Sequence, residues 1–214
     1  MSVICVSLAE TSVKECLAVL KEVEFAEIRM DKIEDISDGI RAIFSSHPRL
    51  IATYRPGRKD KDERYSALEE AIEEGAAYVD VELEADDSYR NRIIRKAREK
   101  NCKVIISYHN RNKIPERAEL EHIVDWCFDS GADIAKIACN VVSLKDNARL
   151  LGLLNDARPV VVVGMGHKGR ITRIAALLLG SPFAYASLSA GKETAEGQID
   201  WKSLKEIYKR IKDV

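Results

Sequence analysis

Lys136 lies inside an apolar run, residues 134–139, that has the composition of a β-strand. A lysine head group prefers water, and apolar surroundings disfavour its charged form. A neutral amine in such a pocket is the nucleophile that forms a Schiff base with a ketone. Taken alone, the run also fits an edge strand whose lysine faces solvent, so the positions of the other unusual residues decide between the two.

Ionisable residues stand at the ends of most of the other predicted strands. Glu27 and Arg29 flank a single residue and therefore share one strand face, and Asp80 and Glu82 do the same two strands later. If the strands form a barrel, their carboxyl ends meet at one mouth, where barrel enzymes have their active sites. The other ionisable residues of this set are Arg55, His109, Lys136 and Arg173, and the apolar Met165 follows the seventh strand.

An amine and an imidazole at one mouth indicate carbonyl chemistry. The amine forms an iminium, which acidifies the adjacent carbon, and an imidazole can remove that proton near neutral pH. His109 is the best candidate among the four histidines because it closes a predicted strand. His47 and His122 are predicted to lie at the surface, and His167, in the loop after the seventh strand, is a weaker candidate base.

The elements that position these residues alternate along the whole chain. Short runs rich in Val and Ile are separated by helix-period segments, which indicates parallel strands covered on both faces. Eight strand–helix units within 214 residues predict a single (β/α)8 TIM barrel, with residues 1–214 forming one catalytic domain. The predicted strands are residues 3–8, 25–30, 50–54, 78–83, 104–108, 134–139, 160–163 and 183–188.

Capping residues support the predicted helices. Thr11 and Ser12 precede the first helix and Ser143 the sixth, while Gly75 and Gly131 follow helices. The rival fold is a doubly wound sheet, which usually has a Gly-x-Gly-x-x-Gly turn after its first strand. Residues 7–11 of this chain, Ser-Leu-Ala-Glu-Thr, contain no glycine. The predicted helices include residues 12–19, 65–74, 91–100, 115–129, 144–154, 171–179 and 201–211.

Composition limits the classes of function. A net charge of −1 and a pI near 6.5 give no reason to expect nucleic acid or an anionic membrane as a partner. The five cysteines are scattered and form no Cys-x-x-Cys pair, which argues against a disulfide framework and a zinc site. No secretory signal and no apolar stretch of membrane-spanning length are predicted. We therefore expect a soluble cytoplasmic protein without a metal.

The segments that carry these residues resemble those of type I 3-dehydroquinate dehydratases over nearly the whole chain. Each is weak alone, but their order and spacing are specific. The resemblance implies a TIM barrel that forms a lysine Schiff base and removes water from 3-dehydroquinate by syn elimination, giving 3-dehydroshikimate in the shikimate pathway. It also implies a homodimer and no cofactor. The segments are residues 6–8, 27–31, 53–55, 81–83, 107–109, 132–138 and 165–166, with Arg173 beyond, and 197–198.

The resemblance also implies a role for each residue. Lys136 forms the Schiff base, and His109 removes the proton and later protonates the departing hydroxyl. Arg173 binds the substrate carboxylate, which matches a planar guanidinium. The implied substrate-binding residues are Glu27, Arg29 and Arg55 for the ring hydroxyls, Met165 against the ring, Ser7 on the floor, and Thr194 and Gln198 from a loop predicted to act as a lid.

Two positions depart from the pattern of the family. A glutamate that pairs with the catalytic histidine in other members falls near Lys59 in this chain, so the acid that orients His109 is not identified. The lid position usually held by serine is Thr194, which keeps the hydroxyl.

Two other functions stay open. A class I aldolase acting on a sugar phosphate would share the lysine but would want a phosphate nest after the last two strands, where this chain has Arg173 and Gln198. A barrel used as a binding or regulatory module is the other alternative. It would have no reason to keep Lys136 and His109 together.

Overall fold

The computed structural model describes residues 3–10, 12–57 and 61–212. Strands and helices alternate in it from end to end. The strands are β1 (Ile4–Leu8), β2 (Ala26–Arg29), β3 (Leu50–Thr53), β4 (Tyr78–Glu82), β5 (Lys103–Asn110), β6 (Ile134–Asn140), β7 (Val160–Met165) and β8 (Ala184–Ser187). The helices are α1 (Val13–Leu20), α2 (Ile40–Phe44), α3 (Lys61–Glu73), α4 (Asp87–Glu99), α5 (Arg117–Asp129), α6 (Asp146–Gly152), α7 (Arg170–Leu178) and α8 (Trp201–Lys212).

The eight strands are all parallel and form a nearly closed barrel. Their hydrogen-bonded order is β7-β6-β5-β4-β3-β2-β1-β8, and β7 and β8, at the two ends of this order, contact each other. β1 therefore pairs with both β2 and β8, which a doubly wound sheet with its central switch point would not allow in this sequential order. The predicted (β/α)8 TIM barrel is confirmed.

Apolar side chains fill the interior below the mouth. Phe25 and Phe183 pack edge to face, with their ring centroids 5.1 Å apart, and Ile51, Ile105 and Val161 are buried in the same cluster. Inward-facing residues of neighbouring strands stack in layers in such barrels, and bulky residues close the space. The barrel therefore has a packed floor, and polar chemistry is confined to the carboxyl ends of its strands.

The predicted strands are found, with some shifted ends. β5 continues past residue 108 to Asn110, so His109 lies within the strand ladder, opposite Ala138 of β6. β7 likewise continues to Met165 instead of ending at residue 163. The short helix Ile40–Phe44 has no counterpart among the predicted helices, because five residues give too little periodicity to recognise.

The predicted caps were partly right. The Ser12 hydroxyl accepts a hydrogen bond from the Glu15 amide at 3.3 Å, as an N-cap does, while Thr11 lies outside the described residues. Ser143 is not a side-chain cap. Instead its backbone N–H donates to the Asp146 carboxylate at 2.8 Å, because α6 begins at that acid rather than at residue 144.

Candidate active site

A cavity of about 450 Å³ opens where the carboxyl ends of the strands meet. It brings together all of the sequence-predicted site residues except Ser7, although they are spread over most of the chain. Those that line it are Glu27, Arg29, Arg55, His109, Lys136, Met165, Arg173, Thr194 and Gln198.

Lys136 is buried in the barrel interior, with 6% of its surface exposed, which excludes the edge-strand alternative. Its surroundings are not the apolar pocket that the sequence suggested. Its Nζ donates to Asp80 Oδ2 at 2.9 Å, lies 3.7 Å from Glu27 Oε1, and sits 4.2 Å from the centroid of the Tyr185 ring. Two carboxylates and an aromatic face thus hold the amine, a geometry that suits a nitrogen carrying positive charge.

Asp80 is the most highly connected acid of the site. Arg55 donates to both of its oxygens, at 2.9 and 2.8 Å, and the Ser107 hydroxyl donates at 2.6 Å. Burial alone would raise the pKa of Asp80, but the charges of Arg55 and Lys136 outweigh burial and hold this pKa well below its usual range. Asp80 is therefore a permanent anion at neutral pH.

His109 lies one step nearer the mouth than Lys136. Lys136 pairs with Ser107 across the β5–β6 ladder, and His109 follows Ser107 by two residues on the same strand face. Burial, with the charges of Arg55 and Lys136, holds the pKa of His109 well below its usual range, so the ring is neutral and can accept a proton.

Glu82 is the described acid that reaches His109, with Oε1 3.9 Å from Nδ1. This distance allows an electrostatic contact but is too long for a hydrogen bond. Burial raises the pKa of Glu82 above its usual range. Lys59, the position at which the family's glutamate was expected, lies outside the described residues, and His167 is exposed and does not line the cavity.

Glu27 connects the floor of the site to the loop above it. It accepts hydrogen bonds from the Ser7 hydroxyl and from Thr53 Oγ1, the latter at 3.0 Å. Ser7 in turn accepts a hydrogen bond from the Thr194 hydroxyl at 2.8 Å. Ser7 therefore stands behind the cavity wall and acts on the site through Glu27 and Thr194, rather than lining the floor as expected.

The two other arginines predicted on this side already have acidic partners. Arg29 donates to both oxygens of Asp31, at 2.9 and 2.8 Å, and Arg55 holds Asp80 in the same bidentate manner while lying 3.7 Å from Glu82. Each pair is nearly neutral as a unit. They therefore present directed N–H groups to a ligand without a large excess of charge.

Arg173 differs from both. Its Nε donates to the Gly197 carbonyl at 3.0 Å and its Nη1 to the Tyr185 carbonyl at 3.2 Å, but the buried Nη2 has no hydrogen-bond partner within the described ranges. No ion pair joins Arg173 to an acid of the described chain. Burial and the nearby Arg170 lower the pKa of Arg173 to about 10, so it remains a cation at neutral pH. A buried cation without an anion is a binding site for one.

The loop after β8 folds over the mouth. The Gln198 side chain accepts from the Thr194 backbone N–H at 2.7 Å, and Lys192 pairs with Glu10 at 2.8 Å. At Gly197, where φ is +82°, an added Cβ would lie 2.3 Å from the carbonyl oxygen of Gly166. Only glycine lets this loop approach the one after β7 so closely.

None of the five cysteines lines the cavity. All five thiols are free and buried. Burial raises the pKa of Cys16, Cys102, Cys127 and Cys139 to about 12, and that of Cys5 well above its usual range. A protonated thiol is a poor nucleophile, so none of these residues competes with Lys136 for a carbonyl carbon.

Two residues that matter for the geometry were given no role in the site from the sequence. Tyr185, under the Lys136 amine, reads as an ordinary aromatic strand residue, and no signal in the sequence distinguishes it. Asp80 was placed on the correct strand face, but its contact with Lys136 joins β4 to β6 across the barrel, which spacing along the chain does not predict.

Two other kinds of feature are absent from the described residues. Among them, no three His, Cys, Asp or Glu side chains are grouped so that they could hold a metal ion. No helix in the described ranges is long and apolar enough to cross a membrane.

Comparisons with known proteins give a consistent result. The family described as Type I 3-dehydroquinase matches residues 4–213. A 3-dehydroquinate dehydratase of Methanococcus maripaludis is 35% identical over 97% of this chain and 99% of its own length. The one from Methanocaldococcus jannaschii is 32% identical over 96% of this chain and 97% of its own.

Solved structures agree with the sequence relatives. The 3-dehydroquinate dehydratase of Aquifex aeolicus superimposes with a TM-score of 0.84 at 28% identity, covering 100% of both chains. The type I enzyme of Clostridium difficile, solved with covalently modified comenic acid, gives 0.87 at 25% identity over 99% of this chain and 92% of its own.

The environment of His109 makes a testable prediction about pH. The pKa of His109 is lower in the folded protein than in the unfolded chain, where it is about 6.5. As pH falls below about 6.5, the unfolded chain binds a proton that the folded protein does not, so the free energy of unfolding decreases. We expect the ring of His109, followed by NMR, to titrate below 6.5. Arg111→Ala, which removes a cation that lowers this pKa, should move the midpoint upward. A midpoint at or above 6.5 in the unmodified protein would contradict the assigned environment.

Proposed function

The chain belongs to the type I 3-dehydroquinase family, and we propose that it removes water from 3-dehydroquinate to give 3-dehydroshikimate through a Schiff base on Lys136. The observation that carries the proposal is the pairing of two buried cations on one cavity. Lys136 can attack a ketone, and Arg173 lacks the anion that its burial demands. A ring that bears both a ketone and a carboxylate satisfies both groups at once.

The first step joins Lys136 to the substrate. The ammonium of Lys136 gives up a proton, and the amine adds to the ketone carbon. The same proton returns to the carbonyl oxygen, which leaves as water, so that the nitrogen ends as an iminium. The iminium draws electrons from the adjacent carbon and makes its proton acidic.

His109 performs the two proton transfers that follow. Its neutral ring removes the proton from the carbon next to the iminium, which leaves an enamine and a protonated imidazole. The enamine electrons then expel the hydroxyl, which takes the same proton from His109 and departs as water. One residue serving both transfers acts from one face of the ring, which supports syn elimination. Hydrolysis of the product iminium restores Lys136.

The remaining wall residues orient the ring. We assign the ring hydroxyls to Glu27, Arg29 and Arg55, which reach the cavity as hydrogen-bonded pairs with neighbouring residues. Met165 supplies an apolar contact. The two residues contributed by the closing loop, Thr194 and Gln198, are hydrogen-bonded to each other. Such positioning lowers the entropy that the reaction has to lose.

Family membership supports further proposals about the working protein. The family match from residue 4 to residue 213 supports one catalytic domain spanning 1–214. We also propose a homodimer in the cytoplasm, acting on a small molecule, with no cofactor and no nucleic-acid or membrane partner. Leu178 and Leu179, at the end of α7, are exposed apolar side chains available to a second copy.

Borohydride trapping tests the Schiff base directly. With substrate or product present, we expect reduction to inactivate the protein and to leave a stable adduct on Lys136, detected by intact mass and peptide mapping. Lys136→Ala should give no adduct. Lys32→Ala, which removes another lysine of the same cavity, should keep it. An adduct on a different lysine, or none in the unmodified protein, would reject the mechanism.

The unpaired guanidinium of Arg173 predicts a specific loss of binding. A lysine lacks the planar fork, so Arg173→Lys should raise KM for 3-dehydroquinate about ten- to a hundredfold, and Arg173→Ala more. Arg170→Ala, on the exposed side of the same helix, is the control and should change KM little. Removing the carboxylate from the substrate should weaken binding to the unmodified protein much more than binding to Arg173→Ala, which has already lost the partner of that group. If the loss relative to 3-dehydroquinate is the same in both proteins, Arg173 does not hold the carboxylate.

Turnover assays separate the dehydratase from its alternatives. We expect 3-dehydroquinate to produce new enone absorbance, and His109→Ala to reduce the rate by roughly 100- to 10,000-fold or more. The variant should still form the adduct on Lys136, because the imidazole acts after the iminium. Turnover of sugar phosphates without turnover of 3-dehydroquinate would favour an aldolase, and no turnover of either would favour a binding module.

A further inference from the structure

Asp80 carries out no step of the proposed mechanism. Its side chain is completely buried between the catalytic amine and Arg55. Oδ1 accepts from Arg55 Nη1 and Ser107 Oγ, and Oδ2 accepts from Arg55 Nη2 and Lys136 Nζ. A carboxylate offers about four acceptor positions, so all of them are filled by donors.

We propose that Asp80 is a positioning residue of this reaction, a fixed counter-ion that keeps the nitrogen of Lys136 cationic after the Schiff base has formed. The inference rests on the proposed function, since it requires that Lys136 forms a Schiff base. A neutral imine withdraws few electrons from the adjacent carbon, whereas the iminium makes that carbon acidic. Asp80 thereby maintains the electron sink that His109 needs for proton removal.

The charge balance of the first step supports this role. An ammonium and a ketone give an iminium and water, so the nitrogen carries one positive charge before and after the step. Asp80 faces that charge at 2.9 Å in the free enzyme, and the carboxylate does not have to move to serve the iminium. A preorganised charge of this kind stabilises without the cost of reorganisation.

Asp80 is unsuited to the alternative role of proton acceptor. Its four donors leave no free position for another proton, and the bidentate grip of Arg55 prevents rotation. The pKa of Asp80, held well below its usual range by Arg55 and Lys136 against the effect of burial, agrees with a permanent anion. His109, which is neutral and lies toward the mouth, remains the residue that carries the proton.

A second carboxylate near the nitrogen provides a matched comparison. Glu27 Oε1 is 3.7 Å from Nζ, but its own hydrogen bonds go to Ser7 and Thr53. Glu27 and Asp80 thus lie at similar distances from Nζ, but only Asp80 accepts a hydrogen bond from it. In the described chain, the charged and titratable groups close to Nζ are Asp80 from β4, Glu27 from β2 and Tyr185 from β8. Those that share its cavity at a greater distance are Arg29, Lys32, Arg55, Glu82, His109, Arg111, Arg173 and Glu196.

The experiment compares Asp80→Asn with Glu27→Gln in the full chain. Each protein is mixed with product across a pH series and reduced with cyanoborohydride, which reacts with the iminium and not with the neutral imine. The adduct on Lys136 is quantified by intact mass, and kcat and KM are measured in parallel. A thermal melt establishes that each variant is folded.

As pH rises, the iminium loses its proton and adduct formation declines. In Asp80→Asn we expect this decline at a pH lower by one unit or more than in the unmodified protein, since an opposite charge within about 4–6 Å shifts a pKa by roughly 1–3 units. Its kcat should fall about a hundredfold, more than KM changes. Glu27→Gln should shift the profile less than Asp80→Asn.

If Asp80→Asn does not fold, Asp80→Glu tests the same idea, because the longer side chain keeps the charge but moves it away from its present position 2.9 Å from Nζ. It should shift the profile in the same direction by a smaller amount. An unchanged profile in the folded variants, or a larger shift in Glu27→Gln, would overturn the role of Asp80. Absence of any adduct in the unmodified protein would instead overturn the proposed function.

Discussion

The contact between Asp80 and the Lys136 amine is the constraint on which the site depends. A lysine in the interior of a barrel is costly unless an anion accompanies it, and a carboxylate in the same place needs cations. Arg55 supplies the second cation and ties β3 to β4, while Lys136 ties β4 to β6. The three groups stabilise one another, and the loss of Asp80 would deprive both buried cations of the anion that they share.

The apolar floor strengthens this arrangement. Phe25, Phe183 and the aliphatic residues around them exclude water from beneath the charged layer, and charge interactions are stronger in such surroundings. The polar groups above them are already oriented by hydrogen bonds before any ligand arrives. Arg173 is the exception, since part of its guanidinium has no partner in the described chain. The site is therefore largely preorganised, and Arg173 is the group that still lacks an anionic partner.

Much of the fold and of the site could be predicted from the sequence, because a barrel repeats one strand–helix unit and brings the carboxyl ends of all its strands to one mouth. The alternation of apolar runs and helices predicted the fold, and polar residues at strand ends pointed to the mouth. The prediction was wrong about the surroundings of Lys136, because Asp80 reaches it across a strand that separates β4 from β6. Ser143 failed as a cap because Asp146, three residues later, bonds its amide. Contacts across the barrel depend on closure and twist, which local patterns do not encode.

The packed floor has a consequence for how ligands enter and leave the cavity. Because side chains fill the barrel below Lys136 in the described chain, we expect reactant and product to enter and leave through the mouth. The two ring compounds would then exclude each other, and inhibition by the product would be competitive with the reactant. Thr194, Ala195, Glu196 and Gln198 of the loop after β8 line the same cavity, so both compounds would pass this loop.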